Sequence, residues 1–142
     1  MSAYKKIKCE IVDKELLLNA LKGLGFTPTV SETPMALRGY GGDAREQMAN
    51  IIIPKEQLNK TFTGISNDLG FRWDNETQRY DMIVSDYDTS KEMPGRIKQV
   101  YAKAAIEKAL IAHKFNIKST TDNAELRART RKQVNITAQK VI

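Results

Sequence analysis

Within the first 24 residues the hydrophobic period changes once, and the change excludes both an all-β and an all-α chain. Ile7, Cys9 and Ile11 alternate with Lys6, Lys8 and Glu10, the period of two that sends one row to a core and the other to water. From Asp13 the period lengthens: Leu17, Ala20, Leu21 and Leu24 fall at i, i+3, i+4 and i+7, Asp13 offers an N-cap oxygen, and Gly25 suits a helix stop. Strand then helix is the predicted opening.

Further along, Phe26 begins a second extended segment in which Pro28 and Pro34 cannot donate ladder hydrogen bonds, so an edge strand or an irregular approach to Met35, Ala36, Leu37 and Arg38 is expected. Ala49-Asn50-Ile51-Ile52-Ile53 is a short buried strand ended by Pro54, and residues 55–64 read as an insertion. Residues 68–73 and 80–84 flank a polar loop and form a hairpin. The clearest helix carries Ala102, Ala105, Ile106, Ala109, Leu110 and His113 on one broad face, expected to pack on the sheet. Phe115 starts another strand. Leu126, Ala128 and Thr130 alternate with Arg127, Arg129 and Arg131 in a last, basic one.

The order has no repeating βα alternation. It implies a two-layer α+β fold, with a mostly antiparallel sheet and two helices on one face, of which a ferredoxin-like topology with extra strands is one version. A length of 142 residues suits a single domain, 1–142, with a basic C-terminal strand or extension from about residue 119. One cysteine excludes an intrachain disulfide and a cysteine-rich metal site, and no apolar run is long enough for a membrane span, so a water-soluble cytoplasmic chain is expected.

Leu37-Arg38-Gly39-Tyr40-Gly41-Gly42 tempts one toward a phosphate loop, but the lysine and hydroxyl residue that must follow the last glycine are missing, as is the three-glycine dinucleotide spacing. A glycine turn between strands, presenting Arg38 and Tyr40, is the better reading. His113 is the only histidine, which leaves no His pair or Ser/His/Asp set to assemble, and it is expected near a helix C-terminus as a dipole partner. Asp81, Asp86 and Asp88 lack calcium-loop spacing, and the run after Ser85 reads as a polar turn. Cys9 points inward with Ile7 and Ile11 and is inert. No cofactor or metal is implied.

The formal charge of +6 is distributed unevenly: residues 119–142 hold five cations and two carboxylates, half of the excess. Arg127, Arg129, Arg131 and Lys132 are therefore the candidate nucleic-acid contacts, although no aromatics interleave with them. Arg38, Tyr40, Arg72 and Trp73 are the candidates for binding a ligand or a protein partner, and a homo-oligomer is compatible with the sequence. Three functions follow in order: a non-enzymatic accessory or binding module, a nucleic-acid-binding protein, and a small enzyme acting on an anionic ligand near Arg38 and Asp86.

The motifs also resemble, in order, those of the hypothetical chloroplast open reading frame 35 family of cyanobacteria and plastids. Ile7-Lys8-Cys9-Glu10-Ile11 with Gly25-Phe26 looks like its start. Leu37-Arg38-Gly39-Tyr40-Gly41-Gly42 followed by Ala49-Asn50-Ile51-Ile52-Ile53 looks like its arginine-glycine-tyrosine turn and next strand. Asp68-Leu69-Gly70-Phe71, Tyr80 and the strand to Asp86 look like its central hairpin, and Gln99-Val100-Tyr101-Ala102 with Phe115 like its second helix. The resemblance spans about residues 4–118 and departs at 55–64, at Lys103-Ala104 and after Asn123. It implies no activity, and it implies a cyanobacterial, plastid or cyanophage setting.

Overall fold

The computed structural model describes residues 3–38 and 44–131, with backbone only for 44–46 and 116–131. Among them are five strands and three helices, in the order β1 (Tyr4–Ile11), α1 (Lys14–Gly23), β2 (Thr29–Arg38), β3 (Ala44–Ile53), α2 (Lys55–Thr61), β4 (Leu69–Asp74), β5 (Arg79–Ser85) and α3 (Glu92–Arg131). The fold is α+β, as the change of period predicts. Two compact units divide it: residues 1–103 hold the sheet, α1, α2 and the start of α3, and residues 104–142 hold the rest. No described helix is long and apolar enough to cross a membrane.

All strand pairs are antiparallel, in the order β1-β5-β4-β3-β2. Strands β2 to β5 form a meander and β1 adds to its far side, so β1 and β2 are the two edges. A ferredoxin-like sheet would hold β1 inside, and this one does not. The edges nevertheless meet at one end, where the Tyr4 hydroxyl of β1 donates to the Arg38 carbonyl of β2. That contact is a side-chain bridge, not a strand pairing, and the sheet stays open.

Register sorts the core into two layers. Ile7, Met82, Phe71 and Ile51 stand in one row across four strands. The helices cover this row with Leu17 and Leu21 of α1, Leu58 of α2, and Met93, Ile97 and Tyr101 of α3, all buried. On the other side Leu37, Ala49, Ile52 and Ile83 make a smaller cluster, with Tyr4 and Met35 against it. The Tyr101 hydroxyl accepts from the Val12 and Asp13 amides at 3.1 Å, which ties α3 to the start of α1.

Four expectations are corrected. Residues 55–64 include helix α2, which has no side-chain cap of its own; the Lys55 amide instead donates to Asp68 Oδ1 at 3.0 Å, thirteen residues away. The expected strands at Phe115 and at Leu126 to Thr130 are absent, because α3 runs unbroken to Arg131. Neither glycine nor proline occurs after Gly95, and Ala124, Glu125, Leu126, Arg127, Ala128 and Arg129 all favour helix, which outweighs six residues of alternation. The alanine-rich face of α3 is not buried: Met93, Ile97 and Tyr101, each four residues apart, do the covering, whereas Ile106 is 61% and Phe115 72% exposed. His113 is also exposed and lies mid-helix, away from the C-terminus.

A candidate binding cleft beside a bulged edge strand

Strand β2 pairs with β3 through Thr29↔Ile52 and Val30↔Ile51, then resumes at Met35↔Ala49. Four residues, Ser31, Glu32, Thr33 and Pro34, therefore stand opposite the single residue Asn50. Pro34 has no amide to lose at such a bulge. Within the protruding segment the Thr33 amide donates to Ser31 Oγ at 3.2 Å, which closes a local turn.

Asn50 holds the gap open from inside β3. Its Nδ2 donates to the Glu32 carbonyl at 3.0 Å and to the Ser31 carbonyl at 3.4 Å. Its Oδ1 accepts the Trp73 amide at 2.9 Å, two residues beyond Phe71, the β4 residue that pairs with Ile51 of β3. One side chain thus joins three strands. Asn50→Asp keeps the acceptor for Trp73 but sets a carboxylate against two carbonyls, and we expect a loss of about 2 kcal/mol in urea unfolding together with a shift in Trp73 emission. Unchanged stability would show that the protruding segment holds itself.

Beside this bolt lies a cleft of about 490 Å³. Ser31, Glu32 and Pro34 form one wall, Arg72, Trp73 and Tyr80 the other, and Val12 and Lys14 close the end where β1 runs into α1. The Trp73 indole N–H donates to Asn75 Oδ1 at 2.9 Å, and Tyr80 meets the indole edge to face with centroids 4.9 Å apart. These contacts fix the ring. Tyr80 is buried, and burial pushes its hydroxyl pKa up, so it is neutral at physiological pH. Arg72 is half-buried and Lys14 exposed. Among the described residues neither forms an ion pair.

Of the residues singled out in the sequence, Arg72 and Trp73 come together here, half-buried rather than exposed. Arg38 does not line the cleft. Its side chain is exposed, its carbonyl accepts from Tyr4, and its amide reaches the Asp68 carboxyl, which burial pushes up in pKa against the amides of Lys55 and Arg38. Tyr40 and Lys132 lie outside the described residues. Arg127, Arg129 and Arg131 belong to α3, and in a helix a two-residue spacing no longer lines up one face. The residues missed from sequence are Asn50, Lys14 and Glu32. An asparagine inside the β-branched run Ala49-Asn50-Ile51-Ile52-Ile53 is the one signal that was open to reading.

The acidic turn after β5 is a closed network. Asp88 is 1% exposed, and it accepts from the Ser66 and Asn67 amides, from Ser66 Oγ at 3.0 Å, from Ser85 Oγ at 2.8 Å and from Lys91 Nζ at 2.9 Å. Lys91 also donates to the Gly64 carbonyl. Asp86 pairs with Lys5 at 3.3 Å and does not line the cleft. Among the described residues no three His, Cys, Asp or Glu side chains are grouped to hold a metal ion. Cys9 is buried, as the alternation predicts; burial pushes its thiol pKa up, the direction of an unreactive cysteine.

A family profile described as "Protein of unknown function (DUF1257)" matches residues 20–135. The chain belongs to that family. The match takes in both cleft walls, the Asn50 bolt and the Asp88 network, and it omits Val12 and Lys14. No curated protein and no solved structure matches the chain significantly. The family description carries no activity, so the chemistry of the cleft has to be argued from its own residues.

Proposed function

We propose that the chain is an accessory or binding module without catalytic activity, and that the cleft at Arg72 and Trp73 is its working surface. The observation that carries the reading is a fixed aromatic pair in a cleft whose lining also includes Lys14 and Arg72, neither with an ion-pair partner among the described residues. A concave site with immobile apolar walls and a few convergent polar groups is the form that recognition sites take. The ordered motifs support placing the chain with the open reading frame 35 proteins, and hence in a cyanobacterial cytoplasm, a plastid stroma or a host cell of a cyanophage.

The test is capture from a cyanobacterial extract on the immobilised chain, beside variants Arg72→Glu and Lys14→Glu whose folding is checked by circular dichroism. Material held by the wild type and lost from both folded variants is the expected result. Equal retention on all three, or turnover of a substrate by the purified chain, overturns the reading. Salt-sensitive retention of nucleic acid that disappears when Arg127, Arg129 and Arg131 are replaced moves the function to α3.

A further inference from the structure

We infer that the outer edge of β1, from Lys5 to Lys8, takes up an extended acidic peptide as a sixth strand, with carboxylates at two-residue spacing beside Lys6 and Lys8. This surface is separate from the cleft, since none of Lys5, Lys6 and Lys8 lines it.

An open sheet has two edges, and here they differ. The β2 edge is blocked: Pro34 has no amide to offer, and residues 31–34 protrude opposite Asn50, so an incoming strand cannot follow it. Strand β1 holds neither proline nor glycine, and its register with β5 runs without a shift from Tyr4↔Ser85 to Lys8↔Asp81. Ala3 turns its carbonyl to β5, where it accepts the Asp86 amide at 2.8 Å. The bonding direction alternates along an antiparallel pair, so Lys5 and Ile7 also face β5, and the backbone groups of Lys6 and Lys8 point away from the sheet. A further strand pairs with such groups. The Tyr4 bridge to the Arg38 carbonyl bounds this edge at one end, and the register shift after Lys8 bounds it at the other.

The charge of the edge chooses its occupant. Lys5, Lys6 and Lys8 are all exposed. Lys5 pairs with Asp86 at 3.3 Å, whereas Lys6 and Lys8 form no ion pair among the described residues, although Lys8 stands opposite Asp81 in register. The period of two puts Lys6 and Lys8 on one face, so an added strand with a carboxylate at every second residue lays its charges beside both. A second copy of the chain is a poor occupant. An antiparallel self-pair centred on Lys6 sets that lysine against itself, and one centred on Ile7 sets Lys6 against Lys8. The edge therefore disfavours its own kind and favours the opposite charge. Glu10, beyond the shift, is held by Arg79 at 2.8 Å and lies outside the pairing stretch.

The experiment titrates the isotope-labelled wild-type chain with the peptide (Glu-Thr)4 and follows hydrogen exchange at the Lys6 and Lys8 amides. One control, (Gln-Thr)4, keeps the strand-forming pattern without the charge. The other, (Glu-Thr)4 with all backbone nitrogens methylated, keeps the charge and cannot donate to a ladder. Saturable protection of both amides by (Glu-Thr)4 is expected, at an affinity at least about tenfold above that of either control. The double variant Lys6→Glu/Lys8→Glu loses affinity by a similar factor, while its other resonances keep the wild-type pattern.

No protection at about 10 mM peptide, a concentration at which even weak millimolar sites fill, overturns the inference. So does equal binding of the methylated peptide, which would make the edge a bare charged surface. Protection of the same amides that rises with the concentration of the free chain also overturns it, because a second copy would then hold the edge. Arg72→Glu and Lys14→Glu leave the β1 edge unchanged, so the fate of the cleft does not decide that of the edge.

Discussion

Replacing Asp88 by alanine is expected to cost about 3 kcal/mol in urea unfolding, because a buried carboxylate that serves several donors is lost, although the Lys91 ammonium it leaves behind is partly exposed and can be solvated. The carboxylate is the common acceptor for two amides, two hydroxyls and the Lys91 ammonium, and it joins the segment before β4 to the turn after β5. Without it those donors face each other with no acceptor between them. Asp88→Asn fills the same space but turns one oxygen into a donor among donors, and about 2 kcal/mol of loss is expected.

The pH dependence of that difference follows from the charge. Burial pushes the Asp88 carboxyl up in pKa, but the bonds from Ser66, Lys91 and Ser85 outweigh burial and leave it below its ordinary value. A depressed folded-state pKa gives stability that is present above the unfolded carboxylate pKa of about 3.9 and is lost as pH falls through the folded value. The gap between wild type and Asp88→Asn should therefore be full at about pH 7 and shrink below about pH 4, where protonated Asp88 resembles asparagine. A gap of equal size at both pH values would show that the network needs the shape and not the charge.

How much of this was legible depended on how local each signal was. Asp13 caps α1 through the Leu16 amide at 3.1 Å, and Gly25 ends it at φ +92°, a value that favours glycine; both are readable because helix ends are set by residues within one turn. The hairpin of β4 and β5 was equally plain from its two apolar runs. Helix α2 was not, since its cap comes from Asp68 and its anchor is Gln57, which exchanges hydrogen bonds with the Thr27 backbone at 2.7 and 2.9 Å. No local pattern announces such partners.

The basic alternation near the C-terminus misled for the opposite reason. Period two over six residues is a weak claim when every residue involved is also compatible with helix, and only the absence of glycine and proline after Gly95 spoke against it. The cleft falls between these cases. Arg72 and Trp73 stood out by type, but the Asn50 bolt that places them depends on a register shift between β2 and β3, which no single strand encodes.

The second large effect is steric and lies one residue from that bolt. Gly70 of β4 stands between Ile52 and Ile83 in register, and a Cβ added there would come within 2.6 Å of the Ala49 Cβ and 3.1 Å of a Leu37 methyl. Alanine in place of glycine ordinarily steadies a strand by roughly 0.5–1 kcal/mol. Here a Cβ-to-Cβ approach cannot be relieved by turning a side chain, so we expect Gly70→Ala to lose about 3 kcal/mol. Adding Ala49→Gly removes the shorter contact and leaves only Leu37 to adjust, and the double variant should regain at least about 1 kcal/mol over Gly70→Ala alone. The clash also reaches the cleft, because pushing Ala49 outward moves the neighbouring Asn50 and with it the acceptor of the Trp73 amide. Gly70→Ala should therefore displace the Trp73 indole resonance as well as lower stability, and the double variant should bring it back toward the wild-type position. Wild-type stability in Gly70→Ala would mean that β3 can yield at Ala49 without cost, and the bulge at Asn50 would then not be held from this side.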